Sequence, residues 1–272
     1  MTVQKDRASV KPVDVRRMVR ERTFTEPTHG FSSGYIQANL LVMPKKYRDD
    51  FVGLCRRNPV PCPLIAESIP GDPTKCIRDG VGEDLNIGTD IPWYQVYRPG
   101  KKQPETVTEI ASLWTEEYVG FLIGCSYSFE EALVREGLPP RHMETGVAVP
   151  MYRTSIRLHP SGVFGGTYVV SMRPYKKKDI EAVRRASGKY ISSHGEPIGW
   201  GWDEVGRLGI KDINNPDFGD FVEIREDEVP VFWGCGVTTQ AAVMDANIAE
   251  PFFAHKPGYM LVTDLEEKDI MI

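Results

Sequence analysis

The sequence has few of the motifs that usually identify a chemistry. It holds no Walker phosphate loop, no Gly-x-Gly-x-x-Gly and no His-Glu-x-x-His. Its five cysteines (Cys55, Cys62, Cys76, Cys125 and Cys235) include no Cys-x-x-Cys pair, and its five histidines are scattered. Neither a zinc site nor a redox dithiol is supported, so no metal and no cofactor is expected. An odd, widely spaced cysteine set in 272 residues points to reduced thiols, as in the cytoplasm, in a chain large enough to fold without staples. No window approaches 18 uninterrupted apolar residues, so no membrane span is expected. A net charge of −5 leaves no basic excess for nucleic acid. Residues 1–22 are rich in Arg and Lys but lack the apolar run of a secretory signal.

What is present is the composition of a folded domain, 41% hydrophobic and 26% charged. The patterning predicts a surface helix over 13–22 and an amphipathic helix over 47–55 that Pro59 must end. Residues 35–43 fit a strand or a helix, and periodicity leaves both open. A strand is expected over 64–69 and a hairpin near 91–97, closed by Pro99-Gly100. Ile110, Leu113, Trp114, Tyr118, Phe121 and Leu122 recur at helical spacing, which predicts a helix over 108–123. Strands follow over 146–156 and 163–172, a helix over 179–187, loops over 188–219, and strands over 228–233 and 259–264. Helical and β segments interleave, so the class is mixed α/β. The expected organisation has two lobes. Residues 1–142 with 222–272 form a larger α/β core on a mixed sheet, and residues 143–221 form a smaller α+β lobe.

One stretch organises the rest: Val-Phe-Trp-Gly-Cys-Gly-Val-Thr-Thr-Gln-Ala-Ala-Val, residues 231–243. An apolar strand breaks at Gly234-Cys235-Gly236, and a helix begins with Thr238 as its expected cap. Gly124-Cys125-Ser126-Tyr127-Ser128 looks similar, with Ser128 and Glu131 at capping-box spacing. Free N–H groups at two such helix starts favour anions. Ser126, Tyr127 and Ser128 are therefore paired with Gly236, Val237 and Thr238 as substrate-binding candidates, converging on one pocket. Arg153 and Thr154, in Pro-Met-Tyr-Arg-Thr, would add a bidentate grip on a carboxylate. Cys125 and Cys235 are candidate catalytic thiols, Cys235 activated by its helix start. His194, in an exposed-looking loop, is a candidate proton carrier. Lys176-Lys177-Lys178 reads as a solvated charge run.

Several motifs in fixed order then carry a resemblance. They are Gly-Tyr-Ile-Gln-Ala-Asn-Leu (34–40), Cys-Arg-Arg-Asn-Pro-x-Pro-Cys-Pro-Leu (55–64) and Gly-Cys-Ser-Tyr-Ser-Phe-Glu (124–130). Pro-Met-Tyr-Arg-Thr (150–154), Pro-Asp-Phe-Gly-Asp (216–220) and Phe-Trp-Gly-Cys-Gly-Val-Thr-Thr-Gln (232–240) complete the set. The chain, from about Arg16 onward, resembles the D-glutamate cyclase family. The resemblance implies a mixed α/β fold with two lobes and a hydro-lyase that removes water from D-glutamate to give 5-oxo-D-proline. It implies a small amino dicarboxylate as partner; the sequence does not set the oligomeric state, with a homo-oligomer (dimer) one option. The alternative is a non-catalytic protein that binds such a carboxylate. Two places depart from the family pattern: Thr239, where the family usually has Pro, and the Gly-Trp-Gly-Trp segment at 199–202.

Overall fold

The computed structural model describes residues 7–269. The chain opens with α1 (Pro12–Arg20), β1 (Tyr35–Pro44), α2 (Arg48–Arg57), β2 (Leu64–Ile69), β3 (Asp72–Cys76), β4 (Tyr94–Tyr97) and β5 (Glu105–Val107). It continues through β6 (Tyr118–Gly124), α3 (Tyr127–Arg135), α4 (Arg141–Thr145), β7 (Met151–Arg157), β8 (Thr167–Lys176) and α5 (Ile180–Gly188). The last elements are β9 (Gly199–Trp200), α6 (Trp202–Arg207), β10 (Glu228–Gly234), α7 (Val237–Ala246), β11 (Phe252–His255) and β12 (Leu261–Glu266). The class is mixed α/β, as the interleaved pattern implies.

Eight strands form one sheet in the order β3-β2-β6-β1-β11-β4-β5, with β12 also paired to β1. Four form a second, in the order β7-β8-β10-β9. A mixed sheet was expected, but every ladder among the described residues is antiparallel.

The described residues fall into two compact units. The first takes in the chain up to Val52, Leu64–Cys125 and Asn247–Asp269. It contains the eight-stranded sheet, whose centre is the ladder of β1 with β6 from Ala38 opposite Gly124 to Pro44 opposite Tyr118. The helix expected over 108–123 is not there. Ala111–Leu113 make a single 3₁₀ turn, and Tyr118–Gly124 is a strand buried on both faces. A short strand covered on both faces is apolar throughout, so its residues satisfy helical spacing by default. The expected surface helix, α1, turns Val15, Val19 and the fully buried Arg16 inward. Arg16 donates to both carboxylate oxygens of Asp264 at 3.0 Å and to the Val262 carbonyl at 2.8 Å.

The second unit comprises Gly53–Pro63 and Ser126–Ala246. Its four-stranded sheet has two unlike faces, because side chains alternate along a strand. One face carries Tyr152, Val170, Met172 and Phe232, packed against Leu208 and Ile210. The other presents Met151, Val169, Ser171, Arg173 and Trp233, over which α3, α5 and α7 lie. The stretch expected as loops from 188 to 219 does contain two short elements, β9 and α6.

The two units repeat one plan. β1 passes through a 3₁₀ turn (Lys45–Tyr47) into α2, and β8 passes through another (Lys177–Asp179) into α5. Each strand then pairs antiparallel with a later one, β6 or β10, over a ladder that ends at a glycine followed by cysteine. Gly234 does not take a positive φ. It is required by close approach instead. A Cβ there would meet the Val60 carbonyl oxygen at 3.1 Å and the Pro61 Cα at 3.3 Å, both backbone atoms. Gly234→Ala is therefore expected to lower stability by about 1–3 kcal/mol, the usual range for overpacking, read from the midpoint of urea unfolding.

Candidate functional site

Both Gly-Cys segments join a strand to a helix in the same way. β6 leads through Cys125 and Ser126 into α3, and β10 leads through Cys235 and Gly236 into α7. The first turns close alike, with Phe129 N–H donating to the Ser126 carbonyl and Thr239 N–H to the Gly236 carbonyl, each at 3.1 Å. Tyr127 and Val237, the first helical residues, pack against one shared cluster of Val149, Met151, Val169, Cys235 and Ala241. The helix starts thus meet on the same face of the four-stranded sheet.

The expected caps do not form. Ser128 and Thr238 each lie one residue inside their helices, too late to cap them. Thr238 Oγ1 accepts from Val169 N–H at 2.9 Å and donates to the Val169 carbonyl at 3.1 Å, which ties α7 to β8. The Ser128 hydroxyl is buried with no hydrogen-bond partner among the described residues. Ser126, at the cap position of α3, accepts instead from an arginine that sequence reasoning passed over.

That arginine is Arg173, on β8, and it is 0% exposed. Its Nε donates to Glu130 Oε1 at 3.0 Å and its Nη2 bonds the same oxygen. Nη2 also donates to Ser126 Oγ at 2.9 Å, and Nη1 to Ser171 Oγ at 3.0 Å. The guanidinium carbon lies 5.2 Å from the ring centres of both Phe129 and Trp233, a cation between two aromatic faces. Glu130, on α3, is buried as well. Burial pushes its pKa up, but His142 and Arg173 together outweigh burial and hold it below the ordinary carboxylate value. His142, on α4, places Nε2 3.2 Å from Glu130 Oε1, and its ring stacks on Tyr127 with centroids 6.3 Å apart and planes 16° from parallel. An arginine, a carboxylate and an imidazole are thereby buried together beside both helix starts.

The thiol of Cys235 is set by burial and not by its helix. Desolvation pushes it up to about 11, against the smaller pull of the Val237 N–H and of Arg173. It is a neutral thiol at neutral pH, with Sγ 3.4 Å from Met151 Sδ. The activation expected from the helix start is outweighed. Cys125 is buried at the end of β6, in the first unit.

Arg153 is half exposed at the surface, paired with Asp245 at 3.2 Å and 5.7 Å from the Phe218 ring centre. Its backbone N–H donates to Asp217 at 2.7 Å. Thr154 is buried and serves the backbone, donating to the Tyr168 carbonyl at 3.0 Å. His194 is not exposed as expected. It is buried, with φ of +83°, and its Nδ1 lies 2.8 Å from the Val60 carbonyl oxygen. The structure therefore gathers Ser126, Tyr127, Cys235, Val237 and Thr238 around β8, whereas on the neighbouring β7 the Arg153 side chain pairs with Asp245 and the Thr154 hydroxyl bonds the β8 backbone. Glu130, His142, Ser171 and Arg173 were missed. The signal for two of them was the alternation Val169, Ser171, Arg173, Tyr175, which sets polar residues on the inner face of a strand.

Lys176–Lys178 border an open groove with Trp202, Glu226, Asp227, Glu228 and Val229, and Lys176 pairs with Asp227 at 2.7 Å. The unusual Gly-Trp-Gly-Trp segment thus contributes Trp202 to this groove. Among the described residues no group of three or more His, Cys, Asp or Glu could hold a metal ion, and no helix is long and apolar enough to cross a membrane.

The buried pair has a measurable consequence. Removing one partner strands the other charge, so Glu130→Gln is expected to lower stability at pH 7 by about 3–5 kcal/mol. Because the folded pKa of Glu130 lies below the ordinary 4.5, its contribution is complete above that pH and fades as pH falls through the folded value. The gap between wild type and variant, read from urea unfolding at pH 7 and pH 3, should therefore shrink at pH 3.

Comparison with known proteins agrees with the motifs. Residues 119–264 match the family model described as D-glutamate cyclase. A Schizosaccharomyces pombe protein named "Putative hydro-lyase" is 55% identical over 96% of this chain and 86% of its own length. One of the same name from Bordetella pertussis is 48% identical over 89% of this chain and 84% of its own. Another, from Paraburkholderia phytofirmans, is 45% identical over 97% of this chain and 99% of its own. With relatives this similar along nearly its whole length, the chain belongs to the D-glutamate cyclase family.

Proposed function

We propose that the protein is a hydro-lyase that converts D-glutamate to 5-oxo-D-proline and water without a metal ion. The observation that carries this reading is the family match over 119–264, a span that contains both Gly-Cys turns together with Glu130, His142 and Arg173. The chemistry is an internal condensation. The amine nitrogen bonds to the γ-carboxyl carbon, a carbon–oxygen bond breaks, and the two protons shed by the ammonium leave on that oxygen as water. Because amine and carboxyl share one molecule, the protein must chiefly impose the folded conformer, move protons and offset the charge that builds on the γ-carboxyl. Two helix starts and a buried guanidinium on one sheet face are groups of the kind that can offset it.

Incubation of purified protein with each glutamate enantiomer, followed by chromatography for 5-oxoproline, tests the reading. Product is expected from D-glutamate in preference to L-glutamate, and a chelator should leave the rate unchanged. Loss of activity on chelation, restored by a divalent ion, would remove the metal-free part. If D-glutamate raises the melting temperature but yields no product, the protein is a binder of small carboxylates and not an enzyme.

Cys235 is assigned a packing role. An internal amine already reaches the carboxyl, so a thioester intermediate adds little, and the thiol stays protonated at neutral pH. Cys235→Ser is expected to keep measurable turnover, within about tenfold of wild type, since neither proton transfer nor nucleophilic attack is assigned to it. Mass spectrometry that trapped an acyl group on Cys235 would contradict this.

A further inference from the structure

The condensation needs a group that takes protons from the ammonium and returns them to the departing oxygen. Cys235 and His194, two of the residues singled out from sequence, do not offer one at the two turns. Cys235 is held as a thiol among apolar side chains, and His194 directs Nδ1 at the Val60 carbonyl. One imidazole does lie at the first turn. His142 is 4% exposed, and its Nε2 sits 3.2 Å from Glu130 Oε1, within ion-pair reach but with no formal hydrogen-bond partner among the described residues. A buried polar atom left unbonded is destabilising, and so calls for an explanation. Arg173 pairs with the same Glu130 oxygen, so Glu130 keeps a cationic partner when the imidazole is neutral.

We propose that His142 is the proton-transfer residue of this site and that Glu130, held by Arg173, is its positioning residue. The inference rests on the D-glutamate reading above. Neutral His142 takes one proton from the substrate ammonium, which frees the nitrogen lone pair to bond to the γ-carboxyl carbon. The imidazolium, stabilised by the Glu130 carboxylate, passes that proton to a γ-oxygen. A second nitrogen proton follows the same route, the carbon–oxygen bond breaks, and His142 ends neutral as water departs. Arg173 keeps Glu130 charged throughout.

The charged and titratable groups around His142 are few. Glu130 and Tyr127 face it from α3, and Arg173 and Tyr175 belong to β8, against which α4 packs. On α4 itself are Arg141, which is tied to Glu228 of β10, and Glu144. Among these, an imidazole is the side chain that ordinarily titrates near neutrality.

The test is the pH dependence of kcat and KM for 5-oxo-D-proline formation in wild type, His142→Gln and Glu130→Asp. His142→Gln is expected to lower kcat by about 10²- to 10⁴-fold with little change in KM, and to remove one limb of the kcat profile. Glu130→Asp keeps the charge but retracts the carboxylate, so it should lower kcat less and displace the same limb. Should His142→Gln fail to fold, the imidazole ¹⁵N signals of wild type decide. A His142 titration that coincides with the kcat limb supports the assignment, and a His142 that does not titrate across the active range overturns it. Near-normal kcat with an unchanged profile in folded His142→Gln overturns the role of His142 while the D-glutamate reading stands. No product from wild type overturns both.

Discussion

The second unit is organised around a charge placed where apolar packing would be cheaper. Arg173 stands on the inner face of β8 between the rings of Phe129 and Trp233, with no exposed surface. Its acceptors come from α3 and from its own strand, so one guanidinium fixes the helix start, the helix's second turn and the sheet together. A buried ion pair is often no more stable than the apolar residues that could replace it. The arrangement therefore makes sense less as a source of stability than as a rigid polar centre inside a dry layer. Fixed charges act strongly there because little water screens them.

Much of the frame was legible from residues alone. Leu64–Ile69 forms the strand expected there, α2 and α5 fall where apolar spacing put them, and the β4–β5 hairpin closes around Pro99-Gly100. These segments carry one clear period and sharp stops. Tyr118–Gly124 was misread because a doubly covered strand has no polar face to reveal its period. The antiparallel order of the larger sheet was out of reach, since it depends on pairings between residues more than 200 positions apart, such as Leu41 with Ala254.

The site was half legible. The Gly-Cys turns stood out because glycine beside an apolar strand and a helix start is a local signature. Which arginine matters was not local. Arg153 and Arg173 both interrupt β-like stretches, and the packing of α3 over β8, with Trp233 alongside on β10, buries one of them, leaving the other to Asp245. His142 gave no sign in sequence, because its partner Glu130 lies on a different helix across a turn. Cys235 shows two effects in competition: its helix start favours the thiolate, burial disfavours it, and burial dominates.

The repeated ladder has a further meaning. Where Arg173 stands opposite Val231 in the second unit, Leu41 stands opposite Phe121 at the matching place in the first, and Asn39 likewise matches Ser171. Two copies of one strand-and-helix plan thus differ at the rung that decides their character. In the first copy the rung is hydrocarbon, and it can contribute only cohesion. In the second it is a cation that organises a polar interior. The same plan thus serves as an apolar frame in one unit and as the mount for a buried charge in the other.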